Sequence, residues 1–287
     1  MPEITTFLND RAPDGLLPFA AQEEAAKRFS LPLSRVEEIA LTNSILPARY
    51  QRNRAMITVS QQLTLFRSCV AVFGCGGLGG YVIEELARLG VGTIVAVDPD
   101  VFEEHNLNRQ LLATIDQLGR KKADAAAQRV AAVNPAVTVR PVPEAFGEHN
   151  GPELLQGADA AVDALDSIPV RLLLAEVCTA CGIPLVHGAI AGWYGQVATQ
   201  FPGEQTLQQL YPRNRKLPGI EAIQGNPSFT PAVIASLEAA EVVKILLQTG
   251  ELIRNRCLAI DLYHMEVKEF PLDQMNLTTA GPTEKGS

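Results

Sequence analysis

The sequence has no surplus of basic residues: 24 Lys and Arg stand against 32 Asp and Glu, a formal net charge of -8. Such a chain lacks a non-specific electrostatic grip on phosphodiester backbones, which argues against nucleic acid as a partner and leaves room only for a local basic pocket. Also missing is any apolar run long enough to span a bilayer, and the opening MPEITTFLNDRAPDG has neither a basic head nor an apolar stretch. No membrane partner and a cytoplasmic location are therefore expected. Cysteine is scarce. The five present, Cys69, Cys75, Cys178, Cys181 and Cys257, are an odd number in a 287-residue chain too long to need disulfide staples, which fits a reducing compartment.

What is present, 47% hydrophobic and 20% charged residues, is the balance of a globular protein and not of a disordered or fibrous one. The length suits one large α/β domain with an appendage, or two small domains. Residues 1–48 form the expected appendage: FAAQEEAAKRF and SRVEEIALTN are rich in helix formers and are separated by Leu31-Pro32-Leu33. Ser34 precedes Glu37 by three residues, the spacing of a capping box. These two helices display nothing chemical, so packing is their expected role and partner docking the alternative.

From Cys69 onward apolar strands alternate with helices. CVAVF, TIVAV, VTVRPV, AAVDAL and PLVHGAI have the continuous apolar character of buried strands, and YVIEELARL, KKADAAAQRVAAV and VRLLLAEVCTAC read as the helices between them. The pattern predicts an α/β fold with a mostly parallel sheet covered by helices on both faces. GQVATQF continues the sheet, a Pro- and Gly-rich stretch occupies 202–231, PAVIASLEAAEVVKILLQTG is a further helix, and CLAIDLYHMEVKEFPL supplies antiparallel C-terminal strands. The expected division is 1–48, a domain over 49–271, and a tail over 272–287.

Gly74-Cys75-Gly76-Gly77-Leu78-Gly79 follows the first strand and opens a helix, matching G-x-G-x-x-G. In that setting Gly74, Gly76, Gly77 and Gly79 let backbone approach a nucleotide's phosphates, while the helix N-terminus offers unpaired N–H groups. Asp98 ends the next strand, where a carboxylate can accept from both ribose hydroxyls. These features suit NAD as well as ATP. The stretch that follows, Asp98-Pro99-Asp100 through Asn106-Leu107-Asn108-Arg109-Gln110, separates the two, since a redox domain needs no polar cluster there. An enzyme that breaks a triphosphate must hold it in line and absorb charge on the departing group, and Arg109 and Lys122 suit that task. Taken singly, Arg109 also fits a surface ion pair and Lys122 a solvated helix residue. Asp163 and Asp166 close an apolar strand at the edge of the expected crevice. Mg2+ needs few protein oxygens, and Asp166 is the favoured metal-side carboxylate, with helix capping as its other use.

Together Arg49-Tyr50-Gln51-Arg52-Asn53, GCGGLGG, VDPD with Asn-Leu-Asn-Arg-Gln, GRKK and DALDS resemble the MoeB/ThiF/HesA family, relatives of ubiquitin-activating enzymes, over roughly residues 49–270. The resemblance implies a Rossmann-like domain that uses ATP to adenylate the C-terminal glycine carboxylate of a small ubiquitin-like sulfur-carrier protein. Pyrophosphate would be released, in service of pyranopterin (molybdenum or tungsten) cofactor or thiamine-type sulfur transfer. It implies Asp98 on the ribose with Asp100 beside it, Asn106, Arg109 and Lys122 on the phosphates, and Asp166 on Mg2+. It also implies a homodimer in which Arg52 reaches the partner's site. Segment 202–231 becomes the candidate loop over the carrier's tail.

The chain departs from the family in two ways. Where many relatives carry a C-x-x-C pair of a structural zinc site, this one has Phe201-Pro202-Gly203-Glu204-Gln205, so no zinc is expected. No cysteine lies between Cys181 and Cys257, where some relatives hold an acyl acceptor, so adenylation without an enzyme-bound thioester is expected. Cys69, Cys75 and the pair Cys178/Cys181 read as packing residues, and His187 as a satisfied core group. The rival readings are an NAD(P)-dependent oxidoreductase and a catalytically silent scaffold of the same fold; peptide termini and a modified tRNA nucleoside are alternative carboxylates.

Overall fold

A computed structural model describes residues 2–211 and 225–272. The apolar segments become the strands β1 (Leu16–Leu17), β2 (Leu46–Pro47), β3 (Cys69–Phe73), β4 (Thr93–Val97), β5 (Thr138–Val142), β6 (Ala160–Asp163), β7 (Leu185–Ala191), β8 (Tyr194–Gln200), β9 (Arg256–Asp261) and β10 (Glu266–Pro271). The helices are α1 (Pro2–Asp10), α2 (Phe19–Phe29), α3 (Leu33–Thr42), α4 (Val59–Arg67), α5 (Gly77–Leu89), α6 (Lys122–Val133), α7 (Gly151–Leu154), α8 (Ile168–Cys181), α9 (Thr206–Leu210) and α10 (Phe229–Leu247). Among the described residues none is long and apolar enough to cross a membrane.

The main sheet has eight strands in the order β10-β9-β8-β7-β6-β3-β4-β5. The run from β5 to β7 is parallel, and β8, β9 and β10 are antiparallel. This is the mostly parallel α/β sheet with antiparallel C-terminal strands that the alternation predicts. Because all five residues of β3 are buried, its side chains divide between two cores. Val70 and Val72 pack with α5 and α10 on one face, while Ala71 and Phe73 pack with α8 on the other. Chain order reverses at β3, which has β4 on one side and β6 on the other. The carboxyl ends of these strands therefore open a crevice.

Residues 2–50 differ from expectation in two respects. A helix, α1, precedes the two read from sequence; its Ile4, Phe7 and Leu8 are buried in a small core with Ala25, Val36 and Ile39. Local propensity is weak in TTFLND, and tertiary burial decides it. The capping box at Ser34 and Glu37 does not form, because the cap position falls on Pro32, two residues before Ser34, and makes no side-chain cap bond. Glu37 instead turns inward, fully buried, and pairs with Arg49 while accepting from the Tyr50 hydroxyl at 2.6 Å. A capping box does occur at Thr58 and Gln61, at the start of α4.

The inward turn of Glu37 is the seam of the molecule. Arg49 also donates to Asn134 Oδ1 at 2.8 Å and to Gln22 Oε1 at 3.0 Å, and Asn134 Nδ2 donates to the Tyr50 oxygen at 2.8 Å and to the Ala87 carbonyl at 2.9 Å. One polar network therefore joins α2 and α3 to the ends of α5 and α6. Burial pushes the Glu37 carboxyl above its usual range in spite of Arg49, and burial with Glu37 beside it pushes the Tyr50 phenol far up, so Tyr50 is a permanent donor. Tyr50→Phe strands a buried acceptor on Glu37 and should lower the unfolding free energy by about 1–3 kcal/mol. An unchanged urea midpoint would show that the seam does not depend on this hydroxyl.

Candidate active site

The crevice holds a cleft of about 410 Å³ at the carboxyl ends of β3, β4 and β6. Gly74 leaves β3 with φ of +96°, and a Cβ there would lie 2.5 Å from the Ala164 carbonyl oxygen, on the exit from β6. At Gly79, inside α5, a Cβ would lie 1.7 Å from the Gly74 carbonyl oxygen. The first glycine supplies a left-handed turn, and both remove the atom that would hold loop, helix and strand apart. Gly74, Gly76 and Gly77 line the cleft; Gly79 supports it from behind. Helix α5 starts at Gly77 after an N-cap glycine that makes no side-chain cap bond, so its first N–H groups are available to an anion.

Asp98 ties the loop to the next strand. It is 5% exposed, with Oδ2 accepting from Cys75 N at 2.7 Å and Oδ1 from Asp100 N at 2.8 Å. Each carboxylate oxygen can accept more than one bond, so capacity remains for hydroxyl donors from a sugar. Lys122 opens α6 only 7% exposed, and its Nζ donates to Asp100 Oδ2 at 3.0 Å. It is not the solvated helix residue that its Arg120-Lys121 neighbours suggested. A cation at a helix N-terminus is poorly placed for the helix dipole, so its position is explained by what lies in front of it. Arg109 also lines the cleft and makes no ion pair among the described residues; its Nη1 donates to the His105 carbonyl at 3.0 Å and to Asn108 Oδ1 at 2.8 Å.

Asp166 lines the same cleft, exposed and with no hydrogen bond or ion pair among the described residues. The cap position of α8 is Ser167, with no side-chain cap bond, so Asp166 does not serve as a cap. Asp163, the other carboxylate of the motif, is fully buried; its Oδ2 lies 2.7 Å from His187 Nδ1 and its Oδ1 accepts from Leu165 N at 3.1 Å. Burial pushes the His187 imidazole down, so the ring is neutral, donates to Asp163 and accepts from the Tyr211 hydroxyl at 3.1 Å.

Three of the sequence candidates do not line the cleft: Gly79, which lies behind it, Asn106 and Arg52. Asn106 is 3% exposed and its Oδ1 accepts from Glu103 N at 3.0 Å, closing the short turn before Arg109. Arg52 is exposed and does not line the cleft of its own chain. Conversely, Gln110, Phe146 and Arg171 line the cleft without having been singled out. Gln110 carries a signal: it is 7% exposed and its Oε1 has no hydrogen-bond partner among the described residues, a buried acceptor on the cleft where a ligand would sit. Phe146 packs edge-on to Phe73 at 5.0 Å and gives one wall an apolar surface.

Four of the cysteines are buried and Cys181 is exposed. Burial pushes the Cys75, Cys178 and Cys69 thiols up and raises Cys257 to about 11. None of the five lines the cleft.

The chain matches the ThiF family over residues 50–279. It is 40% identical over 228 residues to the SAMP-activating enzyme E1 of Haloferax volcanii, covering 78% of this chain and 84% of the relative. It is 36% identical over 223 residues to the sulfur carrier protein adenylyltransferase of Thermus thermophilus, covering 74% and 82%. To the adenylyltransferase and sulfurtransferase MOCS3 of Arabidopsis thaliana it is 34% identical, covering 74% of this chain and 47% of that one. Among solved structures it resembles E. coli MccB in complex with MccA-N7isoASN, with a TM-score of 0.67, 20% identity, and coverage of 88% and 82%; that likeness is one of fold.

Two outcomes follow from this geometry. Gly79→Ala forces the Gly74 turn away from α5 and should weaken adenine nucleotide binding by about ten-fold or more while the protein still melts cooperatively; wild-type affinity would show that the close approach is dispensable. At pH 8 a maleimide should label the native protein at Cys181 alone and reach the buried thiols only after denaturation. Rapid native labelling of Cys75 or Cys257 would contradict their burial.

Proposed function

The chain belongs to the ThiF family, and on that premise we propose that it adenylates the C-terminal glycine carboxylate of a small ubiquitin-like sulfur-carrier protein at the expense of ATP. The observation that carries this proposal is the meeting of Lys122, Arg109 and Asp166 in the cleft that Asp98 and the glycine loop open. An NAD-dependent oxidoreductase has no use for that set, whereas a reaction that cleaves a triphosphate needs cations around the departing phosphates and a carboxylate on the metal side. Relatives named as a SAMP-activating enzyme E1 and as a sulfur carrier protein adenylyltransferase support the same reaction.

In the proposed reaction a carboxylate oxygen of the carrier attacks the α-phosphorus, the bond from that phosphorus to the bridging oxygen breaks, and pyrophosphate leaves. Asp98 holds the ribose, with Asp100 beside it. The glycine loop and the first turn of α5 receive phosphate oxygens through backbone N–H groups. Lys122 exchanges Asp100 for phosphate, Arg109 takes a second share of the charge, and Gln110 donates or accepts at the edge of the site. Asn106 contributes by fixing the turn that aims Arg109. Asp166 fits Mg2+, being an exposed carboxylate in the cleft with no partner among the described residues, since this ion takes one or two protein carboxylates and completes its shell with phosphate and water. The metal supplies neutralisation of the leaving pyrophosphate.

We assign the adenylation domain to residues 49–271, with 1–48 as an extension and 272–287 as a tail. Arg52 is proposed to act in the neighbouring subunit's site of a homodimer, in keeping with its exposure and its absence from its own cleft. Part of the segment proposed to cover the carrier's tail, 212–224, lies outside the described residues. With no cysteine lining the cleft, the acyl-adenylate is handed to a nucleophile from outside the chain. Pyranopterin cofactor assembly is the proposed pathway, with thiamine-type sulfur transfer as the alternative.

ATP–pyrophosphate exchange in the presence of carriers ending in Gly-Gly tests the proposal. Exchange should depend on the carrier and on Mg2+, and Arg109→Ala and Asp166→Ala should each reduce it by about a hundred-fold or more without loss of fold. A folded protein that shows no exchange with any carrier would refute the adenylation. Mixing Arg52→Ala with Asp166→Ala subunits should restore part of the activity, and no restoration would refute sharing of the site.

A further inference from the structure

Arg171 is 2% exposed yet lines the cleft. It stands in the first turn of α8, with its backbone N–H bonded to the Ser167 carbonyl at 2.9 Å. A buried guanidinium is costly to desolvate, and one at a helix N-terminus also opposes the helix dipole. Packing alone would be served by an apolar residue. Among its bonds, Nη2 donates to the Leu165 carbonyl and Nη1 to the Gly188 carbonyl at 3.0 Å, bridging the exit of β6 to β7, with the Tyr211 hydroxyl 3.5 Å from Nη1.

The residue so gripped is the one before Asp166. Leu165 is held at both of its peptide groups by buried polar side chains, its N–H by Asp163 Oδ1 at 3.1 Å and its carbonyl by Arg171. Ala164 is fixed in turn, its N–H bonded to the Phe73 carbonyl at 2.9 Å and its own carbonyl in contact with the Gly74 turn. Asp166 follows with its carboxylate exposed in the cleft and bound to nothing among the described residues. The remaining carboxyl of the cluster, Glu238, is fully buried with no hydrogen-bond partner among the described residues, and burial pushes it well up.

We propose that Arg171 is a positioning residue that sets the Asp166 carboxylate for the metal of a bound Mg·ATP by clamping the Leu165 carbonyl to β7. The inference rests on the adenylation proposal for what Asp166 holds. Its chemistry is that of an outer partner that orients a metal ligand, where loss costs metal affinity more than it costs the rest of the site.

The test is ATP binding by calorimetry as a function of Mg2+ concentration. Arg171→Lys keeps the charge but loses the fork. It should raise the Mg2+ concentration needed for tight ATP binding by about ten-fold, with ATP affinity in EDTA changed by less than about two-fold. In an Asp166→Asn background the same substitution should leave the Mg2+ dependence unmoved, because residues acting through one another are not additive. An unchanged Mg2+ requirement in folded Arg171→Lys, an equal shift in both backgrounds, or an equal loss of affinity in EDTA would each overturn the proposal. Should Arg171→Lys fail to melt cooperatively, hydrogen exchange on the unaltered protein decides: the amides of Ala164 and Leu165 should be protected before nucleotide is added. Protection that appears only with Mg·ATP would overturn it. Absence of pyrophosphate exchange by the wild type would sink the adenylation proposal alone, since Mg2+-dependent ATP binding is read separately.

Discussion

The site depends on an absence of side chain at two positions. Because Gly74 and Gly79 carry no Cβ, the loop after β3 lies against the carbonyl of Ala164 on one side and within the first turn of α5 on the other. That contact brings the ends of β3 and β6 together and turns the start of α5 toward the cleft. Asp98 then bonds the loop through Cys75 N, so the phosphate-binding backbone and the sugar-side carboxylate share one rigid piece. A methyl group at either glycine separates parts whose value lies in being held at hydrogen-bonding distance.

Around that contact the charges sort into two groups. Those beneath the cleft, Asp163 and Arg171, are buried and bond the backbone, Asp163 at the Leu165 N–H and Arg171 at the Leu165 and Gly188 carbonyls. Those that face the cleft bond less to the protein: Arg109 to the His105 carbonyl and Asn108, Lys122 to Asp100, and Asp166 to nothing among the described residues. The first group makes the backbone rigid; the second is left for ligand. Preorganisation of this kind places the reorganisation cost in folding and spares the reaction. The polar seam of Glu37, Arg49, Tyr50 and Asn134 does a similar service at a distance, since it fixes the far ends of α5 and α6, whose near ends form the cleft.

Much of the fold is legible in the sequence. CVAVF, TIVAV and VTVRPV became β3, β4 and β5, and FAAQEEAAKRF became α2 without a residue to spare. Apolar continuity and helix periodicity are local properties, so they survive being read without neighbours. The helix α1 and the inward turn of Glu37 were not legible. Both are decided by partners distant in sequence: α1 by a core with Ala25 and Val36, and Glu37 by Arg49 and Tyr50. Gln110 stood in plain view beside Arg109, but only its burial without a partner marks it. Arg171 carries no such mark in the sequence, because nothing local says that its guanidinium folds back onto Leu165.

By itself the sequence determined the class of fold, the nucleotide loop, the order of the acidic and basic motifs and the family they resemble. Each of these is encoded in spacing along the chain. Only the tertiary structure decided which of the charged residues meet. It put Lys122, Arg109 and Asp166 on one cleft, placed Asn106 beneath a turn and left Arg52 outside. The physical reason is that spacing sets which residues share a strand end, while burial and hydrogen bonding between distant segments set whether a side chain faces ligand, backbone or solvent.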